Sequence, residues 1–252
     1  MKGKIYFAAD FHLGLDTKKH TNAEREKLIC SWLTTVSKDA AEIYLLGDLF
    51  DFWFEYKRVI PKGHTRFLGK LAEVVDSGIP ITVFTGNHDL WMFGYFEEEL
   101  GIPVYSNPVI RQWNNKKFML GHGDGLGPGD RGYKKLKKVF AHPVPQWLFA
   151  RLHPNLGIAL ANYWSAKSRK TSAREAFLGD EKEWLIQYCE EILKDDPGID
   201  YFIFGHRHLP ISHLLSNRKS YYFNTGDWIN HFSYILFDGE QVELKYFEPG
   251  LD

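Results

Sequence analysis

Residues 42–51 read EIYLLGDLFD, and the same pattern recurs along the chain. The largely apolar run Glu42–Leu46 predicts a short buried strand. Gly47 and Asp48 follow directly where this strand ends. An apolar strand followed by polar residues also occurs upstream in residues 4–12, KIYFAADFH, and downstream in residues 80–89, PITVFTGNHD.

Two helical segments separate these three strands. Asn22–Ser37 and Thr65–Asp76 carry apolar residues at helical spacing. Alternating strands and helices of this kind predict an α/β fold in which a layered core gathers the polar residues at one edge of a sheet. Beyond residue 100, short strands and hairpin signals such as Asp238-Gly239 predict a second sheet that faces the first, with helices outside.

Residues 127–180 depart from this alternation. They contain Pro143, Pro145 and Pro154, helical patches and many aromatic residues. We interpret them as a helical cap inserted over the site, and residues 1–126 and 181–252 as the core domain. Between Arg131 and Arg174 there are ten basic residues and no acidic ones, so this window carries +10 and the remainder −11.

The basic window also holds long aliphatic and aromatic residues, a combination that suits an anionic membrane surface or a ligand with phosphate and acyl groups. A solvated helical subdomain packed on the core is a plainer interpretation, but it leaves the absence of acids unexplained. Basic and aromatic patches also bind single-stranded nucleic acid. Aliphatic residues dominate here, so no nucleic-acid partner is expected.

The composition, 44% hydrophobic and 25% charged, is typical of a soluble globular protein. Only Cys30 and Cys189 occur, which indicates a reducing compartment and no disulfide framework. Neither a secretory signal nor a run of about 18 apolar residues is seen. These features predict a cytoplasmic protein, peripheral at most on a membrane. They do not indicate an oligomeric state.

Five polar motifs, each following a predicted strand, offer nitrogen and oxygen ligands for two adjacent divalent ions. They are Asp10-Phe11-His12, Gly47-Asp48-Leu49-Phe50-Asp51, Gly86-Asn87-His88-Asp89, Gly121-His122-Gly123-Asp124 and Gly205-His206-Arg207-His208. Each motif alone is a weak signal, whereas all five in this order are typical of two-metal phosphate-ester hydrolysis. With no thiolate among the ligands, Mn, Fe, Zn, Co and Mg all remain open.

We assign the candidate residues as follows. One ion is expected on Asp10, His12, Asp48 and His208, and the other on Asp48, Asn87, His122 and His206. His88 is a candidate acid or charge stabiliser near the leaving group, and we expect Asp89 to orient it by a hydrogen bond. The alternative for His88 is a structural histidine satisfied by Asp89. Asp51 and Asp124 are expected to support ligands.

These motifs resemble the calcineurin-like metallophosphoesterase superfamily, whose pattern is D-x-H, G-D-x-x-D, G-N-H-D/E, G-H and G-H-x-H. The resemblance implies a four-layer α/β/β/α sandwich and a dinuclear centre with the same seven ligands. Residues 7–14 (FAADFHLG), 47–57 (GDLFDFWFEYK), 121–135 (GHGDGLGPGDRGYKK) and 147–154 (WLFARLHP) further resemble the UDP-2,3-diacylglucosamine hydrolase family in its Bacteroidetes-type form.

The second resemblance implies Mn²⁺ and cleavage of an acylated UDP-sugar to UMP and 2,3-diacylglucosamine 1-phosphate in lipid A biosynthesis, at the inner face of the inner membrane. It also implies substrate contacts from Asp130, Ser168 and Arg169. His88 departs from the pattern, because many members of that family carry arginine there. Two alternatives remain: a phosphoesterase for a soluble diester, nucleotide or phosphoprotein, and a non-catalytic scaffold, against which the intact ligand set argues.

Overall fold

The computed structural model describes residues 3–128, 131–171 and 177–248. The strands are β1 (Lys4–Ala8), β2 (Ala40–Leu45), β3 (Ile81–Phe84), β4 (Val104–Tyr105), β5 (Val109–Trp113), β6 (Lys116–Leu120), β7 (Tyr201–Phe204), β8 (Pro210–Leu214), β9 (Tyr221–Thr225), β10 (Ser233–Phe237) and β11 (Val242–Tyr246). They form a six-stranded sheet, β11-β10-β1-β2-β3-β4, and a five-stranded sheet, β5-β6-β7-β9-β8.

The helices are α1 (Asn22–Val36), α2 (Thr65–Asp76), α3 (Tyr95–Leu100), α4 (Arg131–Phe140), α5 (Pro143–Phe149), α6 (Pro154–Thr171) and α7 (Trp184–Asp195). The first begins with a capping box, in which the Thr21 side chain and Glu24 satisfy each other's backbone N–H groups. The strands and helices predicted from the sequence are present within one or two residues of their predicted bounds.

The core is arranged in four layers. One cluster lies between the sheets and contains residues of both, such as Phe7 of β1 and Phe118 of β6. A second cluster packs α1, α2 and α3 on the outer face of the first sheet, and a third packs α7 on the outer face of the second. Alternate residues of β1 enter the first and second clusters, because side chains alternate across a strand. The α/β/β/α order expected from the sequence is confirmed.

Parallel pairing brings the functional motifs to one edge. Strands β1, β2 and β3 run parallel to each other, and β6 runs parallel to β7. The C-terminal ends of parallel strands lie at the same edge of a sheet, so the segments that follow these five strands converge there.

The chain between β6 and α7 holds α4, α5 and α6. Phe149 of α5 packs on the core, with its ring centroid 4.8 Å from those of both Phe54 and Trp91. Other apolar side chains of these helices are exposed, including Val144, Leu148 and Leu156 at 56%, 56% and 60%. No helix in the described part of the chain has the length and apolar character to span a bilayer.

Candidate metal centre

Each candidate ligand lies in the turn just after a strand. Five of them (Asp10, His12, Asp48, His206 and His208) have φ between 45° and 67°, the left-handed region. A non-glycine residue there carries strain of about 1–3 kcal/mol and persists only where the surroundings enforce it. Backbone hydrogen bonds enforce it here: the Asp10 N–H donates to the Gly47 carbonyl at 3.0 Å and the His12 N–H to the Asp48 carbonyl at 2.9 Å.

One group of donor atoms is formed by Asp10, His12, Asp48 and His208. The Nε2 atoms of His12 and His208 lie 3.3 Å apart. Asp10 Oδ1 lies 3.3 Å from His208 Nε2, and Asp48 Oδ2 lies 3.5 Å from His12 Nε2. Donor atoms of these types lying this close together match the ligand shell of a single cation.

A second group is formed by Asp48, His122 and His206, and Asn87 completes it. Asn87 Oδ1 lies 2.8 Å from His206 Nδ1 and 3.3 Å from His122 Nε2. Asp48 Oδ2 lies 3.4 Å from His122 Nε2. The same Asp48 oxygen therefore borders both groups, while Asp48 Oδ1 accepts a hydrogen bond from the His88 N–H at 2.8 Å.

Two acceptor atoms of these donor groups are available to bind cations. Asp10 Oδ2 accepts from the His206 N–H, whereas the buried Asp10 Oδ1 has no hydrogen-bond partner among the described residues. His122 Nδ1 lies 2.8 Å from the Leu46 carbonyl. A carbonyl only accepts, so Nδ1 carries the proton and Nε2 presents its lone pair.

The pKa values of His12 and His122 reflect the buried carboxylates beside them. Burial alone would lower the pKa of His12, but the nearby carboxylates of Asp10, Asp51 and Asp48 raise it to about 10. Burial would also lower the pKa of His122, but the charge of Asp48 raises it to about 10. Buried carboxylates that attract protons onto two imidazoles would hold divalent cations in place of those protons.

Two glycines allow the loops to approach closely. A Cβ on Gly86 would collide with the Asp48 carboxylate, and a Cβ on Gly205 would lie 2.6 Å from Asp10 Oδ2. Glycine is therefore required where these turns pass beside the carboxylates.

The expectation that Asp89 orients His88 is wrong. Asp89 is fully buried, and its carboxylate accepts from four backbone N–H groups, those of Asp48, Leu49, Phe50 and Gly86. Three of these donors belong to residues 48–50, so Asp89 faces the Asp48 loop. It fixes the turn that carries the shared ligand.

His88 is held by other groups. Its Nδ1 lies 3.0 Å from the Asp51 carbonyl and 3.1 Å from Ser165 Oγ of α6. Its ring centroid lies 4.7 Å from that of His12, so the imidazole borders the first donor group. Burial lowers the pKa of His88, although the charge of Asp48 opposes the shift.

Asp51 and Asp124 lie beside the ligands, as the sequence predicted. Asp51 Oδ1 lies 3.4 Å from His12 Nδ1. Asp124 forms an ion pair with Lys137 of α4 at 2.6 Å and accepts a hydrogen bond from the Tyr133 hydroxyl. Helix α4 is thus anchored at the edge of the site, and Lys137 is neutralised there.

Sequence reasoning missed Asp227, which follows β9. Asp227 Oδ2 lies 3.4 Å from His208 Nδ1, and Oδ1 lies 3.2 Å from His231 Nδ1. A carboxylate on the far nitrogen of a ligating histidine fixes its tautomer. The position of Asp227 just after strand β9, like the positions of the ligands after their strands, was an available signal. Arg207, which lies between two ligands of the last motif, pairs with Glu183 at 2.8 Å.

The proposed substrate contacts remain predictions. Asp130 lies outside the described residues. Ser168 and Arg169 fall within α6, but their side chains lie outside the described part of the structure.

The calcineurin-like phosphoesterase family model matches residues 3–210. The chain belongs to this family. The family and the two donor groups together indicate a phosphoesterase that depends on divalent metal ions.

Several curated relatives match over nearly their whole length. UDP-2,3-diacylglucosamine hydrolase of Porphyromonas gingivalis is 37% identical, over 98% of this chain and 99% of that protein. The protein of the same name from Edwardsiella ictaluri is 27% identical, over 94% of this chain and 90% of its own. Among solved structures, the phosphoesterase Yfce from E. coli is 16% identical with a TM-score of 0.49, over 96% of this chain and 92% of that chain.

Proposed function

We propose that this protein hydrolyses the pyrophosphate of UDP-2,3-diacylglucosamine, releasing UMP and 2,3-diacylglucosamine 1-phosphate for lipid A biosynthesis. The observation that carries the chemistry is the pair of donor groups sharing Asp48 Oδ2, which borders His12 and His122 at 3.5 and 3.4 Å. The substrate is supported by the 37% identity, over almost the full chain, to a relative of that name.

Seven residues would hold two divalent ions, Mn²⁺ in our proposal: Asp10, His12, Asp48, Asn87, His122, His206 and His208. When bound, two such ions neutralise phosphate oxygens and activate water for attack on phosphorus. In both Asp48 and Asp10, one carboxylate oxygen accepts a hydrogen bond from a backbone N–H group. The carboxylate is thereby oriented, and its other oxygen is available to bind an ion. His88 borders this edge and is proposed to stabilise charge or donate a proton at the leaving group.

The proposed substrate has acyl chains, and the proposed helical insert (residues 127–180) offers a surface for them. Exposed Val144 and Leu148 are four residues apart on one face of α5. Lys135 and Lys138 are exposed on α4, the helix that precedes α5 in the chain. We propose that this surface binds the anionic inner face of the inner membrane, where the acylated UDP-sugar lies.

Substrate embedded in vesicles of an anionic phospholipid tests both proposals. We expect purified protein with Mn²⁺ to release UMP from these vesicles. Lys135→Glu with Lys138→Glu should slow release at least about tenfold, since each lysine near an anionic surface contributes about 1 kcal/mol. The same variant should match the unmodified protein on detergent-dispersed substrate.

The control reverses two lysines that are exposed outside the insert, Lys182→Glu with Lys219→Glu. Equal slowing by both variants would contradict the membrane surface. Cleavage of a soluble diester, nucleotide or phosphopeptide with no UMP from either form of the lipid would instead favour a soluble substrate.

A further inference from the structure

The insert contacts the core immediately beside His88. Trp91, three residues further along the chain, packs against Phe149 of α5 and donates from Nε1 to the Phe140 carbonyl of α4 at 2.9 Å. On α6, a Cβ on Gly157 would lie 2.6 Å from the Tyr56 hydroxyl. Helices α4 and α5 therefore contact the segment that carries His88, and α6 contacts the loop that holds Tyr56.

One contact from the insert reaches the imidazole itself. Ser165 of α6 is 8% exposed, and its Oγ lies 3.1 Å from His88 Nδ1. Its neighbours Tyr163 and Trp164 are 66% and 49% exposed, so Ser165 lies on the side of α6 that faces the core. A polar residue is buried at this position beside a histidine 77 residues away in the chain.

The two oxygen atoms near His88 Nδ1 define which ring nitrogen carries a proton and how the imidazole is oriented. The Asp51 carbonyl, 3.0 Å away, can only accept, so Nδ1 carries a proton. The Ser165 hydroxyl can accept from the same N–H. Turning the ring over would place a carbon atom against both oxygens, and both contacts would be lost.

We propose that Ser165 is a positioning residue for His88, through which helix α6 sets the orientation of the imidazole at the metal edge. The inference rests on the proposed role of His88 in hydrolysis. It assigns to the insert a task in catalysis that is separate from binding lipid.

Removing the hydroxyl should lower turnover and leave binding nearly unchanged. With Mn²⁺ and the soluble diester bis(p-nitrophenyl) phosphate, Ser165→Ala should reduce kcat about 3- to 10-fold, the effect of losing one hydrogen bond. KM should change less than about twofold, because a misplaced acid weakens the transition state more than the bound ground state. Ser165→Thr keeps a hydroxyl and should restore most of the loss.

A double-mutant cycle separates positioning from a general structural effect. In a His88→Gln background, Ser165→Ala should have almost no further effect on kcat. In the metal-free protein, imidazole ¹⁵N spectra should show a protonated Nδ1 for His88, and Ser165→Ala should change that resonance while leaving those of surface histidines in place.

Equal loss of kcat in both backgrounds, or an unchanged His88 resonance in Ser165→Ala, would overturn the proposal. Neither readout uses UDP-2,3-diacylglucosamine. A failure of the proposed substrate would therefore leave both experiments intact, and would be recognised separately by the absence of UMP.

Discussion

Asp48→Ala should abolish hydrolysis and the binding of both ions, while the protein remains folded. Asp48 Oδ2 borders both donor groups, so its removal takes a ligand from each. Changing a residue that only supports a ligand typically lowers metal affinity or activity about 10- to 100-fold, and loss of a shared ligand should exceed that. Burial and the charge of Asp48 raise the pKa of Asp89 to about 7. Removing the Asp48 carboxylate relieves this repulsion, so the metal-free fold should tolerate the change.

The measurement is the metal content of the purified variant after dialysis against Mn²⁺, together with its turnover and thermal unfolding. Asp76→Ala, which removes an exposed carboxylate at the end of α2, is the matched control and should keep two ions and full turnover. Retention of one tightly bound ion and substantial turnover by Asp48→Ala would show that Asp48 is not shared.

Asp89→Asn should destabilise the protein by about 3 kcal/mol, because the new amide nitrogen would face backbone N–H donors and leave at least one of them buried without an acceptor, at a cost of about 1–3 kcal/mol each. Both carboxylate oxygens accept from backbone N–H groups, one from Gly86 at 2.7 Å and the other from Leu49 at 2.7 Å. For a chain of this size, the loss corresponds to a fall in Tm of about 6–12 °C.

The two possible roles of Asp89 predict different results for this isosteric change. If Asp89 oriented His88, Asp89→Asn would reduce kcat with little change in Tm. If Asp89 fixes the turn that carries Asp48, Asp89→Asn should lower Tm and metal affinity together. Asp76→Asn is the matched control, and an unchanged Tm for Asp89→Asn would contradict the structural account.

Elements that bury continuous apolar runs were predictable from the sequence. Strands β1, β2 and β3 and helices α1 and α2 agree with expectation, and the Asn114-Asn115 hairpin has the positive φ values that such a turn requires. Strand β4 has only two residues, too few to show a periodicity. Helix α7 was not predicted, although its buried residues Leu185, Ile186, Cys189 and Leu193 have helical spacing.

The site was predictable to the extent that it depends on strand ends. Polar residues after parallel strands must meet, and the structure brings the seven candidate ligands together. The groups that hold those ligands were not predictable, because they are contacts between distant segments. Asp89 contacts residues about 40 positions away, and Asp227 reaches His208 from another strand. Sequence adjacency suggested a His88–Asp89 pair, whereas the Asp89 carboxylate binds backbone N–H groups and His88 Nδ1 lies near Asp51 and Ser165.

Anomalous diffraction from crystals grown with Mn²⁺ tests the central claim most directly. The account predicts two peaks about 3.5–4 Å apart, with Asp48 bonded to both ions. One ion should also contact Asp10, His12 and His208, and the other Asn87, His122 and His206. A single peak, or a second ion bound away from Asn87 and His206, would contradict the dinuclear centre.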